Sequence, residues 1–220
     1  MYNKTIMSSQ VFYRKWRPQT LTELVGQEHV SQTLRNAVKG GRVAHAYLFC
    51  GPRGTGKTST GRILAKAINC LNPVNGEPCN ACEMCKAFND GSALDIIEID
   101  AASNRGINEI RELIEKVHYA PTAAKYKVYI VDEVHMITDA AANAFLKTLE
   151  EPPPHVFFIL ATTDPHKVLA TILSRCQRFD FHRLSQSAVM SKLKYVSEKE
   201  EIKIEPDSLR LVARVTTGSL

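Results

Sequence analysis

The chain has 220 residues, 28 Lys+Arg against 23 Asp+Glu for a formal charge of +5, and 44% hydrophobic and 23% charged residues. That balance is close to the soluble globular average and argues against disorder, and no apolar run approaches the length of a membrane span. The basic residues are scattered without a run of five or more, so the charge is compatible with nucleic acid but does not point to it.

The opening stretch, MYNKTIMSSQ, lacks the apolar core of a secretory signal and is expected to be a short lead-in to a cytoplasmic protein. Val30, Leu34, Ala37 and Val38 recur at helical spacing and stop at Gly40-Gly41. Then come short β-rich runs: AYLF (46–49), DIIEI (95–99), KVYIV (127–131) and VFFIL (156–160). Such dense runs are typical of buried parallel strands. Between them, Ile107, Ile110, Leu113, Ile114 and Val117 share a helical face. Phe145, Leu146 and Leu149 belong to a helix that starts at Thr138 and ends before Pro152-Pro153-Pro154. RFDFH (178–182) reads as a terminal strand. The expected fold is α/β, a parallel sheet covered by helices on both faces, occupying residues 1–184. Two helices without a strand fill 185–220, as at the start of a small helical domain.

GPRGTGKT, residues 51–58, matches the P-loop pattern between a strand and a helix. Gly51, Gly54 and Gly56 let the loop, which also holds Pro52, Arg53 and Thr55, turn its backbone N–H groups toward phosphate oxygens, and the helix N-terminus at Ser59 adds a favourable dipole. Lys57 would neutralise phosphate charge and Thr58 would ligate Mg²⁺. Asp132 and Glu133 follow the third β-rich run. Asp132 is expected to hold Mg²⁺ and Glu133 to act as general base toward water. A ligand-free glycine turn and an ordinary acidic strand end are the plainer explanations of the two stretches taken singly; together they describe a hydrolytic nucleotide site.

CLNPVNGEPCNACEMC, residues 70–85, sets Cys70 before a C-x₂-C-x₂-C run at Cys79, Cys82 and Cys85. Four thiolates in one short loop can close a tetrahedral Zn²⁺ shell of the structural type. A disulfide is disfavoured in a cytosolic setting, and a redox pair would normally be a single C-x-x-C. An iron–sulfur cluster takes four cysteines as well and remains a rival. Cys50 and Cys176 read as small packing residues.

GPRGTGKT, VDEVH, FFILATTDP and LSRCQRFDF, preceded by YRKWRPQTLTELVGQEHV, stand in the order and spacing of AAA+ ATPases of the clamp-loader clade, which the chain resembles from about Val11 to Leu220. The resemblance implies an ATP-hydrolysing motor that loads a sliding clamp onto primer–template DNA within a hetero-oligomer of further clamp-loader subunits. It implies that Arg175, in Ser174-Arg175-Cys176, is an arginine finger reaching a neighbour's nucleotide. Thr163 matches a polar sensor, with Thr162 adjacent, and Val25, Gly26 and Val30 an adenine box. Motor subunits of the clade carry a zinc module at the position of the cysteines, about 70–88, which favours zinc. ASNRGINEIRE (102–112) is similar to a segment that tracks DNA, through Arg105; a plain cap by Ser103 or Asn104 explains it equally well. The clade's lid domain carries a second sensing arginine directly after the Gly-Ser-Leu found here at Gly218-Ser219-Leu220, and a collar domain follows. The expectation is weak nucleotide binding or poor hydrolysis by this stretch alone. Alternatives are a non-catalytic, delta-prime-like scaffold subunit, against which the intact P-loop and acids count, and another DNA-related AAA+ motor.

Overall fold

The computed structural model describes residues 11–104 and 106–219. The lead-in at 1–10, the expected DNA contact at Arg105 and the terminal Leu220 lie outside them. In chain order the elements are α1 (Phe12–Lys15), α2 (Glu28–Lys39), β1 (Ala46–Cys50), α3 (Lys57–Ile68), α4 (Glu83–Asn89), β2 (Ile96–Asp100) and α5 (Ile107–Val117). There follow β3 (Lys127–Asp132), α6 (Asp139–Glu150), β4 (Val156–Thr162), α7 (Ala170–Leu173), β5 (Gln177–Asp180), α8 (Gln186–Lys199) and α9 (Pro206–Val215).

The strands form one sheet in the order β2-β3-β4-β1-β5, parallel at every pairing, with Leu48 opposite Leu160 and Ile130 opposite Ile159. Alternation along the strands feeds two cores. Ala46, Leu48, Tyr129, Val131, Phe158 and Leu160 pack against Ile110 and Leu113 of α5 and Phe145 and Leu149 of α6. Tyr47, Phe49, Val128, Ile130 and Ile159 pack on the opposite face against Leu34 of α2, Ile63 and Leu64 of α3, and Leu21. Each buried Val, Leu, Ile or Phe among them contributes about 1.5–3 kcal/mol on burial, and two apolar faces explain why the strands read as continuous hydrophobic runs.

Local differences from the sequence expectation have physical causes. The second strand begins at Ile96, one residue after Asp95, whose buried carboxylate accepts the N–H groups of Thr122, Ala123 and Ala124 at 2.7–2.8 Å. Ser103 and Asn104 do not cap α5, whose N-cap is Gly106 without a side-chain bond. They bond back to Asp100, Ser103 Oγ to its carboxylate and Asn104 Nδ2 to its carbonyl, both at 2.9 Å. Thr138 caps α6 as expected, accepting from Ala141 N. Beyond the sheet, Val189 of α8 and Ala213 of α9 bury against Leu184, with Val25 packed on the same cluster. The N-terminal segment reaches these helices: Glu200 accepts from Trp16 Nε1 at 2.6 Å and from Lys15 Nζ at 2.9 Å. Among the described residues no helix is long and apolar enough to cross a membrane.

Candidate nucleotide and metal sites

Residues 51–56 leave the end of β1, the strand lying between β4 and β5, and wrap into the first turn of α3. The loop closes on itself through Thr55 Oγ1, which donates to the Pro52 carbonyl at 2.8 Å. Gly56 is the residue before the helix and has φ of +100°, a conformation that side-chain-bearing residues rarely adopt. Lys57 is buried, 6% exposed, and its ammonium donates to the carbonyls of Gly51 at 2.8 Å and Pro52 at 2.9 Å. Burial holds its pKa below the ordinary 10.5, while the nearby Glu133 and Asp132 carboxylates pull it back up. A cation whose hydrogen bonds go to neutral carbonyls of a glycine loop can exchange them for an anion. Arg53 is exposed, and Ser59 is half-buried in α3.

The two acids come from the end of β3, and Asp132 spans the width of β4 to meet the loop. Thr58 Oγ1 donates to Asp132 Oδ2 at 2.7 Å. This pair of hard oxygen donors suits a Mg²⁺ ion. Glu133 sits at φ +49°, ψ +44°, in the left-handed region, where a non-glycine residue is uncommon and costs on the order of 1 kcal/mol or more. That turn points its carboxylate at the end of β4, where Oε2 accepts from Thr163 Oγ1 at 2.8 Å and Thr163 N at 3.2 Å. The motif reading passed over His135. Its Nδ1 pairs with Thr162 Oγ1 at 2.9 Å and lies 3.5 Å from Glu133 Oε2, so it backs both residues. The only sequence signal was its place in the VDEVH run.

Arg175 lies past α7, apart from this cluster. Its guanidinium pairs with Glu150 at the end of α6 and donates to the Thr171 carbonyl at 2.6 Å. Glu150 was not singled out in the sequence, where it stands in an unremarkable Glu-Glu pair before the prolines. In the N-terminal segment, Val30 is fully buried in the core with Leu21 and Leu34. Val25 packs toward Leu184, and a side chain at Gly26 would run into Leu184 Cδ2. Gln27, also buried, pairs with the His182 backbone in both directions, at 2.7 and 3.2 Å. The segment is thus clamped where β5 leads into α8.

Cys70, Cys79, Cys82 and Cys85 come together, all four Sγ atoms within 4.8 Å of one another. Cys70–Cys82 and Cys79–Cys85 are 3.9 and 4.0 Å apart. A tetrahedron of ~2.3 Å Zn–S bonds has edges of about 3.8 Å, whereas a disulfide needs about 2.05 Å. The set therefore fits one thiolate-bound ion. Backbone N–H groups already point at the sulfurs: Cys79 N at Cys70 Sγ (3.2 Å) and Cys82 N at Cys79 Sγ (3.3 Å). Amides of Ala81 and Cys82 lower the Cys79 pKa to about 6, favouring its thiolate, while burial pushes Cys85 up. Cys50 is buried in the core and Cys176 packs against the same cluster.

Sheet order, strand-end loop and acid pair define the class: this is a P-loop domain of the AAA+ type. The fold is that of the RuvB Holliday junction branch migration motor of Thermotoga maritima, with TM-score 0.64 and 18% identity over 92% of this chain and 61% of that one. A family model described as DNA polymerase III, delta subunit matches residues 26–185. The tau subunit of DNA polymerase III from Bacillus subtilis is 53% identical over 97% of this chain and 38% of its own length. The gamma subunit from Buchnera aphidicola is 44% identical over 97% of this chain and 59% of its own length. The chain belongs to this family of DNA polymerase III subunits, and its relatives there are the tau and gamma subunits. It spans less than two thirds of the length of either relative.

Proposed function

We propose that this chain is the motor domain of a gamma/tau-type subunit of the bacterial replicative clamp loader, a cytoplasmic ATPase within the DNA-directed DNA polymerase III holoenzyme. The observation that carries this reading is the convergence of Lys57, Thr58, Asp132, Glu133 and Thr163 at the ends of β1, β3 and β4. A scaffold subunit would not need a buried lysine in a closed P-loop opposite two acids. Residues 1–184 form the ATPase domain in this account, and 185–220 begin the lid.

The chain's own groups divide the work. The P-loop amides and Lys57 receive the phosphates, Lys57 exchanging the Gly51 and Pro52 carbonyls for phosphate oxygens. Thr58 and Asp132 would hold Mg²⁺, which would supply neutralisation of the phosphate charge. Thr163 binds the terminal phosphate and in doing so gives up Glu133, whose carboxylate is then free to orient water and take its proton. Val25, Gly26 and Val30 flank or support the adenine. Arg175 leaves Glu150 to reach the nucleotide of a neighbouring subunit, where a cation stabilises the charge of phosphoryl transfer. Zn²⁺ in the four-cysteine loop is structural. Partners are delta, delta-prime, further gamma/tau copies, the sliding clamp and primer–template DNA.

The test is ATP hydrolysis by the full-length subunit assembled with its partners, with and without clamp and primed DNA. Strong stimulation by both together is expected; hydrolysis indifferent to the clamp would move the protein to another AAA+ activity.

A further inference from the structure

The cysteine loop also touches the N-terminal segment assigned above to the nucleotide base. Its tip is a two-residue turn in which Val74 and Glu77 exchange backbone bonds at 3.0 and 2.9 Å, with Asn75 at φ +52° and Gly76 at φ +81°. Asn-Gly is the pair such a turn favours. Glycine is required here twice over, because a Cβ at position 76 would stand 2.2 Å from the Arg35 carbonyl of α2.

Seated this closely on α2, the turn brings the Glu77 side chain against residues 21 and 22. One carboxylate oxygen accepts the Leu21 N–H at 2.7 Å and the other the Thr22 N–H at 3.0 Å, with Arg35 Nε at 3.4 Å. These donors open the 3₁₀ turn Leu21–Glu23, so the carboxylate from a distant loop satisfies amides that the turn leaves unpaired. Two residues beyond Glu77 is Cys79, whose sulfur belongs to the metal cluster. A second strut runs beside the first: the buried Lys66 ammonium joins Gln19 Oε1 at 2.9 Å to Asn89 Oδ1 at 3.1 Å, at the end of α4.

The braced turn leads directly into the base-side segment. Leu21 is fully buried, and Leu24 stands 3.6 Å from where a Cβ would sit on P-loop residue Gly56. Val25 and Gly26 then meet Leu184 at the start of the lid. Residues 21–26 therefore have the cysteine module at one end and the nucleotide loop at the other.

We propose that Glu77 is a positioning residue that couples the metal module to the nucleotide-base pocket. An ion on Cys70, Cys79, Cys82 and Cys85 fixes the loop, Glu77 transmits that order to the amides of residues 21 and 22, and residues 24–26 are held ready for a purine. The phosphate cradle takes its amides and Lys57 from β1 and α3 and meets the braced segment only where Leu24 approaches Gly56, so the strut bears chiefly on the base side. The inference rests on the ATP-binding reading, and its test separates the two.

The full-length, zinc-loaded protein is titrated calorimetrically with ATP and, separately, with inorganic tripolyphosphate, while zinc content and amide exchange are measured. Glu77→Ala should keep its zinc, bind ATP roughly tenfold more weakly, leave tripolyphosphate affinity unchanged and expose the Leu21 and Thr22 amides to exchange, as expected for two lost charge-assisted bonds. Chelation of zinc from the wild type should weaken ATP with the same selectivity and expose the same two amides. If Glu77→Ala does not fold, Glu77→Gln, which keeps one acceptor, should weaken ATP by a few-fold with the same selectivity. ATP affinity equal to wild type, or equal losses for ATP and tripolyphosphate, would overturn the coupling. A wild-type protein that binds neither probe would overturn the ATP reading instead, while the exchange of the two amides still reports on the strut.

Discussion

The candidate nucleotide edge takes its residues from stretches spread over more than a hundred positions, Gly51–Thr58, Asp132–Glu133 and Thr162–Thr163, whereas the cysteine module closes within Cys70–Cys85. The first depends on the sheet. Its geometry is right only when β1, β3 and β4 are in register, so its order is inherited from the two cores. The second has almost no core of its own, Cys85 and Phe88 being the buried residues of α4, and a bound ion must supply the order that burial does not. Substitutions at the edge should therefore change chemistry with little effect on stability. Damage to the module should change stability, and affect nucleotide only on the side that Glu77 braces.

The largest expected effect is at Arg175. Arg175→Ala in the assembled loader should lower hydrolysis by about 10³-fold or more, the scale of an arginine finger, with ATP affinity and melting temperature unchanged. Steady-state turnover and calorimetry check it. Glu133→Gln comes next, with turnover down about 10²–10⁴-fold and binding retained; equal loss of both would make Glu133 a structural acid. Cys79→Ser should release the metal and lower the melting temperature by about 10 °C, the effect of roughly 3–4 kcal/mol on a domain of this size. Elemental analysis beside the thermal scan distinguishes metal loss from simple unfolding, and iron in place of zinc would overturn the metal assignment.

Two smaller effects sharpen the contrast. Lys57 has a depressed pKa in the free protein, and bound phosphate raises it by charge attraction. ATP affinity should be full below the free-protein value and fall as pH rises through it, beginning below the 10.5 of an ordinary lysine; Lys57→Arg should flatten that alkaline limb. Glu150→Ala removes a partly exposed ion pair worth at most about 1 kcal/mol, so stability should barely change while Arg175 is freed. A rise of about twofold in assembled hydrolysis is expected.

The same contrast explains what was legible in the sequence. Strands with two apolar faces read as unbroken runs, and β1, β3 and β4 lie within two residues of AYLF, KVYIV and VFFIL. The P-loop and the C-x₂-C-x₂-C spacing are local patterns whose chemistry is written in consecutive residues. The contacts that connect such patterns are not. The Thr163 bond to Glu133 joins residues 30 positions apart, Arg175 pairs with Glu150 at 25, and Glu77 caps Leu21 at 56. Each is a common side chain whose partner is chosen by the fold. α4 is not visible in the pattern because its seven residues, which include the last cysteine of the module, carry too few helical repeats to show a period.

The proposed phosphate site is completed by the arginine of a neighbouring copy. It is tested most directly by mixing two inactive full-length variants in the assembled loader. Lys57→Ala should fail to hold nucleotide but keeps Arg175; Arg175→Ala should hold nucleotide but lacks the proposed finger. Clamp- and DNA-stimulated hydrolysis in the mixture well above that of either variant alone is the predicted result, since some interfaces then pair an intact loop with an intact arginine. A mixture no more active than its components would contradict the shared site and return Arg175 to its contact with Glu150.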